Sequence, residues 1–134
     1  MTTRESRASG QIKLLLVDDE EAYVKALSKR LVRRNFAVSA AFSGIQGIQA
    51  LREQDFDVVV LDLKMEDMDG IEVLRIFKKM SPDVSVIMLT GHGSEQAARE
   101  GIESGAFDYL MKPCEFEELV EKITAAAQKA REGS

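Results

Sequence analysis

Apolar residues along the chain follow two alternating rhythms. Short runs rich in β-branched residues, IKLLLV (12–17), FAVSAA (36–41), DVVVL (57–61), VSVIML (84–89) and FDYLM (107–111), read as strands. Between them the spacing becomes helical: Tyr23, Leu27 and Leu31 share one stripe, as do Ile45, Ile48 and Leu51, then Ile71, Leu74 and Phe77, then Ala97, Ala98 and Ile102. A fifth helix is predicted from Glu115, with Phe116, Leu119, Val120 and Ile123 turned inward. Five βα units in succession predict an α/β fold, a doubly wound five-stranded parallel sheet with helices on both faces, because parallel strands need right-handed crossovers. Burial on both faces also explains why three of the strands are nearly unbroken apolar runs.

Length and composition narrow the picture further. The 134 residues suit one domain that can fold without disulfides or metal staples. The polar opening MTTRESRASG predicts a disordered leader over 1–11, a folded domain over 12–131 and a short tail over 132–134. With no 18-residue apolar run and no charged-then-apolar leader, a soluble cytoplasmic protein without membrane contact is expected. A net charge of −5 and the lack of a basic patch argue against direct nucleic-acid binding. Cys114 and His92 are each the single residue of their kind, which excludes an internal disulfide and a histidine-rich metal site. Cys114 reads as an incidental small residue and His92 as a solvated loop residue.

In open α/β sheets, ligands collect beyond the carboxyl ends of the strands. There the sequence sets Asp18 and Asp19 after the first strand, Asp62 after the third, Thr90 after the fourth and Lys112 after the fifth. Three crowded carboxylates repel one another unless one is protonated or a cation sits among them. Oxygen donors without cysteine or histidine suit Mg2+. A carboxylate beside such an ion, with a lysine and a hydroxyl in reach, has the parts for phosphoryl transfer to Asp62, giving an acyl phosphate.

Taken together, LLLVDDEE, VVVLDLKMEDMDGIEVL, VIMLTGHGS and GAFDYLMKP resemble the receiver domain of two-component response regulators, over residues 12 to 131. The resemblance implies a flavodoxin-like sheet of strand order 2-1-3-4-5 and a phosphoacceptor, Asp62, that takes its phosphoryl group from a sensor histidine kinase or phosphotransfer protein in a magnesium-dependent reaction. It implies that Asp19 and Asp62 ligate the metal through carboxylates, Lys64 through its backbone carbonyl and Asp18 through bound water. Glu20 and Glu21 would occupy the first turn of the next helix and favour its dipole, beside the region where a kinase's phosphotransfer helix docks. Lys112 would pair with Asp62 at rest and with a phosphoryl oxygen afterwards, while Thr90 swings its hydroxyl to another oxygen. Tyr109 would turn inward in response, reshaping the face of the fourth helix, fifth strand and fifth helix. That face would signal to an output domain or downstream protein, and would also serve a homodimer. Pro113 is expected to be cis, and Gly91 to leave the phosphoryl site open. Such a phosphoprotein is a signalling phosphoacceptor that catalyses its own phosphorylation and slow dephosphorylation, not a turnover enzyme.

Two departures stand out. Where many receivers have proline four residues after the phosphoacceptor, this chain has Glu66 followed by Asp67, which predicts a looser, more negative loop. Lys64 and His92 fall at variable positions expected to line the path of the hydrolytic water. Three rival readings carry specific objections. A flavin-binding module would cradle phosphate in its first loop, where Asp18 to Glu21 would repel it. An aspartyl-phosphate phosphohydrolase would carry a second Asp where Lys64 stands, and a degenerate interaction domain would not keep all five site residues. Taken singly, Asp18 and Asp19 suit a helix cap, and Lys112-Pro113 a helix entry. Met65, Met68, Met80, Met88 and Met111 are expected to fill the core or cover the loop. Either a single-domain regulator or a receiver from a longer chain fits this reading.

Overall fold

A computed structural model describes residues 10–91 and 95–133. Among them, five strands alternate with five helices: β1 (Lys13–Val17), α1 (Glu21–Arg33), β2 (Ala37–Ala41), α2 (Gly44–Glu53), β3 (Val58–Asp62), α3 (Gly70–Met80), β4 (Ser85–Thr90), α4 (Glu95–Glu103), β5 (Asp108–Met111) and α5 (Phe116–Glu132). The strands are all parallel, in the order β2-β1-β3-β4-β5. This is the flavodoxin-like arrangement expected. Residues 1–9 of the expected leader lie outside the described residues; Gly10 and Gln11 are held by Arg131, whose Nη2 donates to their carbonyls at 2.8 and 3.1 Å. No helix among the described residues is long and apolar enough to cross a membrane.

Successive side chains of a strand point to opposite faces, and the core divides accordingly. Leu14, Leu16, Val58, Val60, Ile87 and Leu89 pack with residues of α1 and α5, including Leu27, Leu31, Leu119 and Ile123. Leu15, Val17, Val59, Leu61, Val86 and Met88 pack on the other face with Ile71, Leu74 and Phe77 of α3 and Leu51 of α2. Edge strands β2 and β5 are only partly covered, whereas β3 and β4 are buried along their whole length.

Two helical stripes differ from the sequence pattern. In α2 the inward residues are Gly44, Gly47 and Leu51, while Ile45 is 55% exposed and Ile48 only partly buried. Helix α2 lies so close to the sheet that a Cβ on Gly47 would meet Phe77 Cζ at 2.9 Å and Val17 Cγ2 at 3.2 Å, so glycine occupies the contact. Helix α4 shows the same effect: Ala98 and Gly101 face in, Gly101 lies directly against Met88, and Ile102 is left out. Hydrophobicity alone marks the wrong side of a helix when close approach selects the smallest residues. The methionines divide likewise: Met88 is buried and Met65 and Met68 pack partly against the core, but Met80 and Met111 are exposed.

Strands β3 and β4 also run one residue further at their carboxyl ends than the pattern suggested. Asp62 pairs with Leu89 and Thr90 with Met111, and the ladder continues through Leu63 N–H to Leu89 O and Lys112 N–H to Thr90 O. The Asp62 carboxylate and the Thr90 hydroxyl are therefore carried on hydrogen-bonded sheet backbone.

Candidate functional site

Alternation places the polar residues at the sheet's carboxyl edge. Asp62 follows Val58 and Val60 on the face of α1 and α5, and Asp18 and Lys112 continue the same parity from Leu16 and Leu110. Asp18, Asp62 and Thr90 are all buried. Oxygens of Asp18, Glu20 and Asp62 lie within 4.8 Å of one another. Into this cluster reaches Lys112, its Nζ 2.8 Å from Asp18 Oδ2, 2.9 Å from Glu20 Oε1 and 3.6 Å from Asp62 Oδ2. Beneath the ammonium lies the ring of Tyr23, its centroid 4.7 Å from Nζ. Asp62 Oδ1 accepts a hydrogen bond from Lys64 N–H at 3.2 Å.

One ammonium does not balance three carboxylates. Burial, and then the Asp18 charge, push Asp62 up to about 6, against the pull of Lys112 and the Lys64 N–H. Burial opposes the charge on Lys112, but its hydrogen bonds to Asp18 and Glu20 outweigh this and hold it firmly protonated. The donor set is all oxygen and short of positive charge, which fits a small hard divalent cation.

Several predicted residues meet here and others stand apart. Asp18, Asp62 and Lys112 come together. Asp19 sits at the margin, where its Oδ2 accepts from Glu66 N–H at 3.2 Å. Lys112 pairs more closely with Asp18 and Glu20 than with Asp62, the partner expected for it. Glu20 itself was expected to serve only the helix dipole. It is the N-cap residue of α1 but makes no side-chain cap, because its carboxylate is taken by Lys112. The acidic run signalled a cluster without saying which members turn inward. Tyr23, expected only as a core residue, is the other participant the sequence did not mark. Gly91 has nothing within 4 Å of where a Cβ would stand, and the Lys112-Pro113 bond is cis. His92 lies outside the described residues.

The loop between β3 and α3 is better fastened than its missing proline suggested. Asp67 accepts hydrogen bonds from Gly44 N–H at 3.0 Å and Ile45 N–H at 3.1 Å, satisfying donors at the start of α2. Asp69 caps α3 through Ile71 N–H at 3.3 Å, and its backbone pairs with that of Lys64 in an isolated antiparallel β-bridge. Asp67 and Asp69 thus bind open helix ends, so at these two positions the negative charge helps to hold the loop.

Comparison with known proteins settles the family. The model of the response regulator receiver domain matches residues 14–124. The chain belongs to this family. This receiver is 36% identical over 121 residues to the transcriptional regulatory protein ZraR of Klebsiella oxytoca, covering 90% of this chain and 27% of the relative. It is also 36% identical over 117 residues to GlrR of Escherichia coli K12, another transcriptional regulatory protein, covering 87% of this chain and 26% of the relative. The chain thus spans about a quarter of the length of these curated relatives. Among solved structures, a receiver domain protein from Clostridium thermocellum superposes with a TM-score of 0.87 at 33% identity, covering 92% of this chain and 99% of that one. A CheY-like receiver domain from Methanospirillum hungatei gives 0.87 at 27% identity, with the same coverage. Receivers of this family are components of two-component signalling and in general not turnover enzymes.

At the β5 edge of the sheet, this receiver carries a partly apolar face. Ile102, Phe107, Tyr109 and Met111 are all exposed. Tyr109 lines an open cavity of about 460 Å³ with Ala98, Arg99 and Ile102. Lys122 of α5 joins Asp108 of β5 at 2.6 Å.

Proposed function

We propose that this receiver, over residues 12–131, takes a phosphoryl group onto Asp62 from a phosphohistidine of a sensor kinase or phosphotransfer protein in the cytoplasm. The observation that carries the reading is a buried carboxylate at the end of β3, beside Asp18 and within 3.6 Å of the Lys112 ammonium. With Asp62 up at about 6, the carboxylate is mostly ionised at neutral pH and nucleophilic. An Asp62 oxygen attacks phosphorus in line as the P–N bond breaks, and the imidazole leaves with the electron pair. Lys64 N–H holds the other Asp62 oxygen in place. Lys112 offsets charge on one phosphoryl oxygen, and the Thr90 hydroxyl donates to another.

The reaction would depend on magnesium, which Asp19, Asp62 and the Lys64 carbonyl would hold, with Asp18 acting through water. When bound, the ion offsets the negative charge of the carboxylates and of the transferring phosphoryl group. Engaging Asp19 in this way would require it to release Glu66 N–H. Signalling then runs from Thr90 to Tyr109, whose present exposure suits the resting state, and alters the α4-β5-α5 face for an output domain, a separate protein or a second copy. Two of the similar proteins are transcriptional regulators of which this chain covers only about a quarter, which favours output at transcription.

Intact-mass spectrometry with acetyl phosphate, with and without magnesium, tests the reading. A single base-labile phosphate adduct, dependent on magnesium and absent from Asp62→Ala, is expected. An adduct persisting at the wild-type level on Asp62→Ala would sink the assignment.

A further inference from the structure

A lysine that must deliver one N–H to a transient phosphoryl oxygen faces a conflict. Its flexible stem has to be held in place, yet each carboxylate that holds it also consumes a donor. Lys112 has three ammonium hydrogens. Asp18 at 2.8 Å and Glu20 at 2.9 Å occupy two of them. The approach to Asp62, at 3.6 Å, is too long for a hydrogen bond and leaves the third uncommitted.

From this geometry we infer that Tyr23 is a positioning residue for phosphoryl transfer, its ring face acting as a platform that holds the Lys112 ammonium beside Asp62 without using a donor hydrogen. The inference rests on the reading of Asp62 as phosphoacceptor. Tyr23 lies in the first turn of α1, half-buried, with the ring centroid 4.7 Å from Nζ, inside the range over which an aromatic face attracts a cation. Glu20 is a weaker restraint, since its carboxylate is 65% exposed and screened by water. Unlike a carboxylate, the ring adds no charge to an edge already overloaded with it.

The test uses Tyr23→Leu, which removes the aromatic face, and Tyr23→Phe, which keeps it. In protein with 13C-labelled lysine and no phosphodonor, the Lys112 Hε resonances should lie upfield from ring current in wild type and Tyr23→Phe, and return to ordinary values in Tyr23→Leu. With acetyl phosphate at saturating magnesium, Tyr23→Leu should phosphorylate roughly three- to tenfold more slowly, the range a lost cation–π contact predicts, while Tyr23→Phe retains most of the rate. Ordinary Lys112 shifts in the wild type would overturn the inference, as would Tyr23→Phe proving as slow as Tyr23→Leu. Should Tyr23→Leu not fold, the wild-type and Tyr23→Phe resonances and rates still decide it. If wild type takes no phosphate on Asp62, the phosphoacceptor reading fails and the Lys112 resonances alone decide whether Tyr23 positions the lysine.

Discussion

Replacing Asp62 by asparagine should make the metal-free protein more stable at neutral pH, although it deletes a charged partner of Lys112. The carboxamide keeps an acceptor for Lys64 N–H and nearly the same volume, but removes one of three crowded carboxylates. The size follows from Asp62 itself. Its rise from an ordinary 3.8 to about 6 converts, at about 1.4 kcal/mol per pH unit, to roughly 3 kcal/mol of unfavourable free energy when the group is ionised. Because the folded value lies above the unfolded one, the folded state binds the proton more tightly. Below about pH 3 both states are protonated and the cost is nil; it grows as pH rises through 4 towards 6 and is complete above that. Urea denaturation in EDTA should therefore show Asp62→Asn about 1–3 kcal/mol more stable than wild type at pH 7.5, with the advantage shrinking to nothing near pH 3. Magnesium should raise the midpoint of wild type and leave the variant nearly unchanged, since it stabilises only a state that binds it. A variant no more stable than wild type at pH 7.5, or an advantage that persists undiminished at pH 3, would refute the like-charge argument.

Other predictions concern the supports around the site. Gly70→Ala would set a Cβ 2.5 Å from Leu63 Cα, and because that neighbour is backbone the clash cannot relax by a rotamer change; a loss of at least about 2 kcal/mol is expected in urea melts, and a neutral result would mean α3 shifts freely. Asp67→Ala should cost about 1 kcal/mol by uncapping Gly44 and Ile45, with hydrogen exchange at those two amides rising more than elsewhere; unchanged exchange would show water replacing the carboxylate without loss. At the opposite end of the sheet, Arg131→Ala removes the guanidinium 3.3 Å from fully buried Asp57. Asp57 keeps Lys13 N–H, so the expected loss is roughly 1–3 kcal/mol, and a smaller one would show that its remaining partners suffice.

The sheet and its rim were readable because each rests on a rule with few exceptions. A period of two alternating with a period near 3.6 leaves little besides a doubly wound sheet, and strand ends in such a sheet converge on one edge whatever the side chains. Asp18, Asp62, Thr90 and Lys112 follow from that convergence. What escaped the reading depends on distances a sequence does not contain. Ile45 and Ile102 were assigned inward by hydrophobicity, yet Gly47 and Gly101 take the contact because the helices approach the sheet too closely for a branched side chain. Asp67 was read as loosening charge, since nothing local shows that the start of α2 lies within hydrogen-bond reach. Glu20 and Tyr23 show the limit most clearly. In the chain they are a helix-start acid and an amphipathic-stripe aromatic, and both descriptions remain correct. Their contact with Lys112, about ninety residues away, arises because β5 ends next to β4 while Lys112's long stem carries its charge back across the sheet to β1 and α1. Strand order places the backbone of such a residue, but only its reach decides which side chains share its charge.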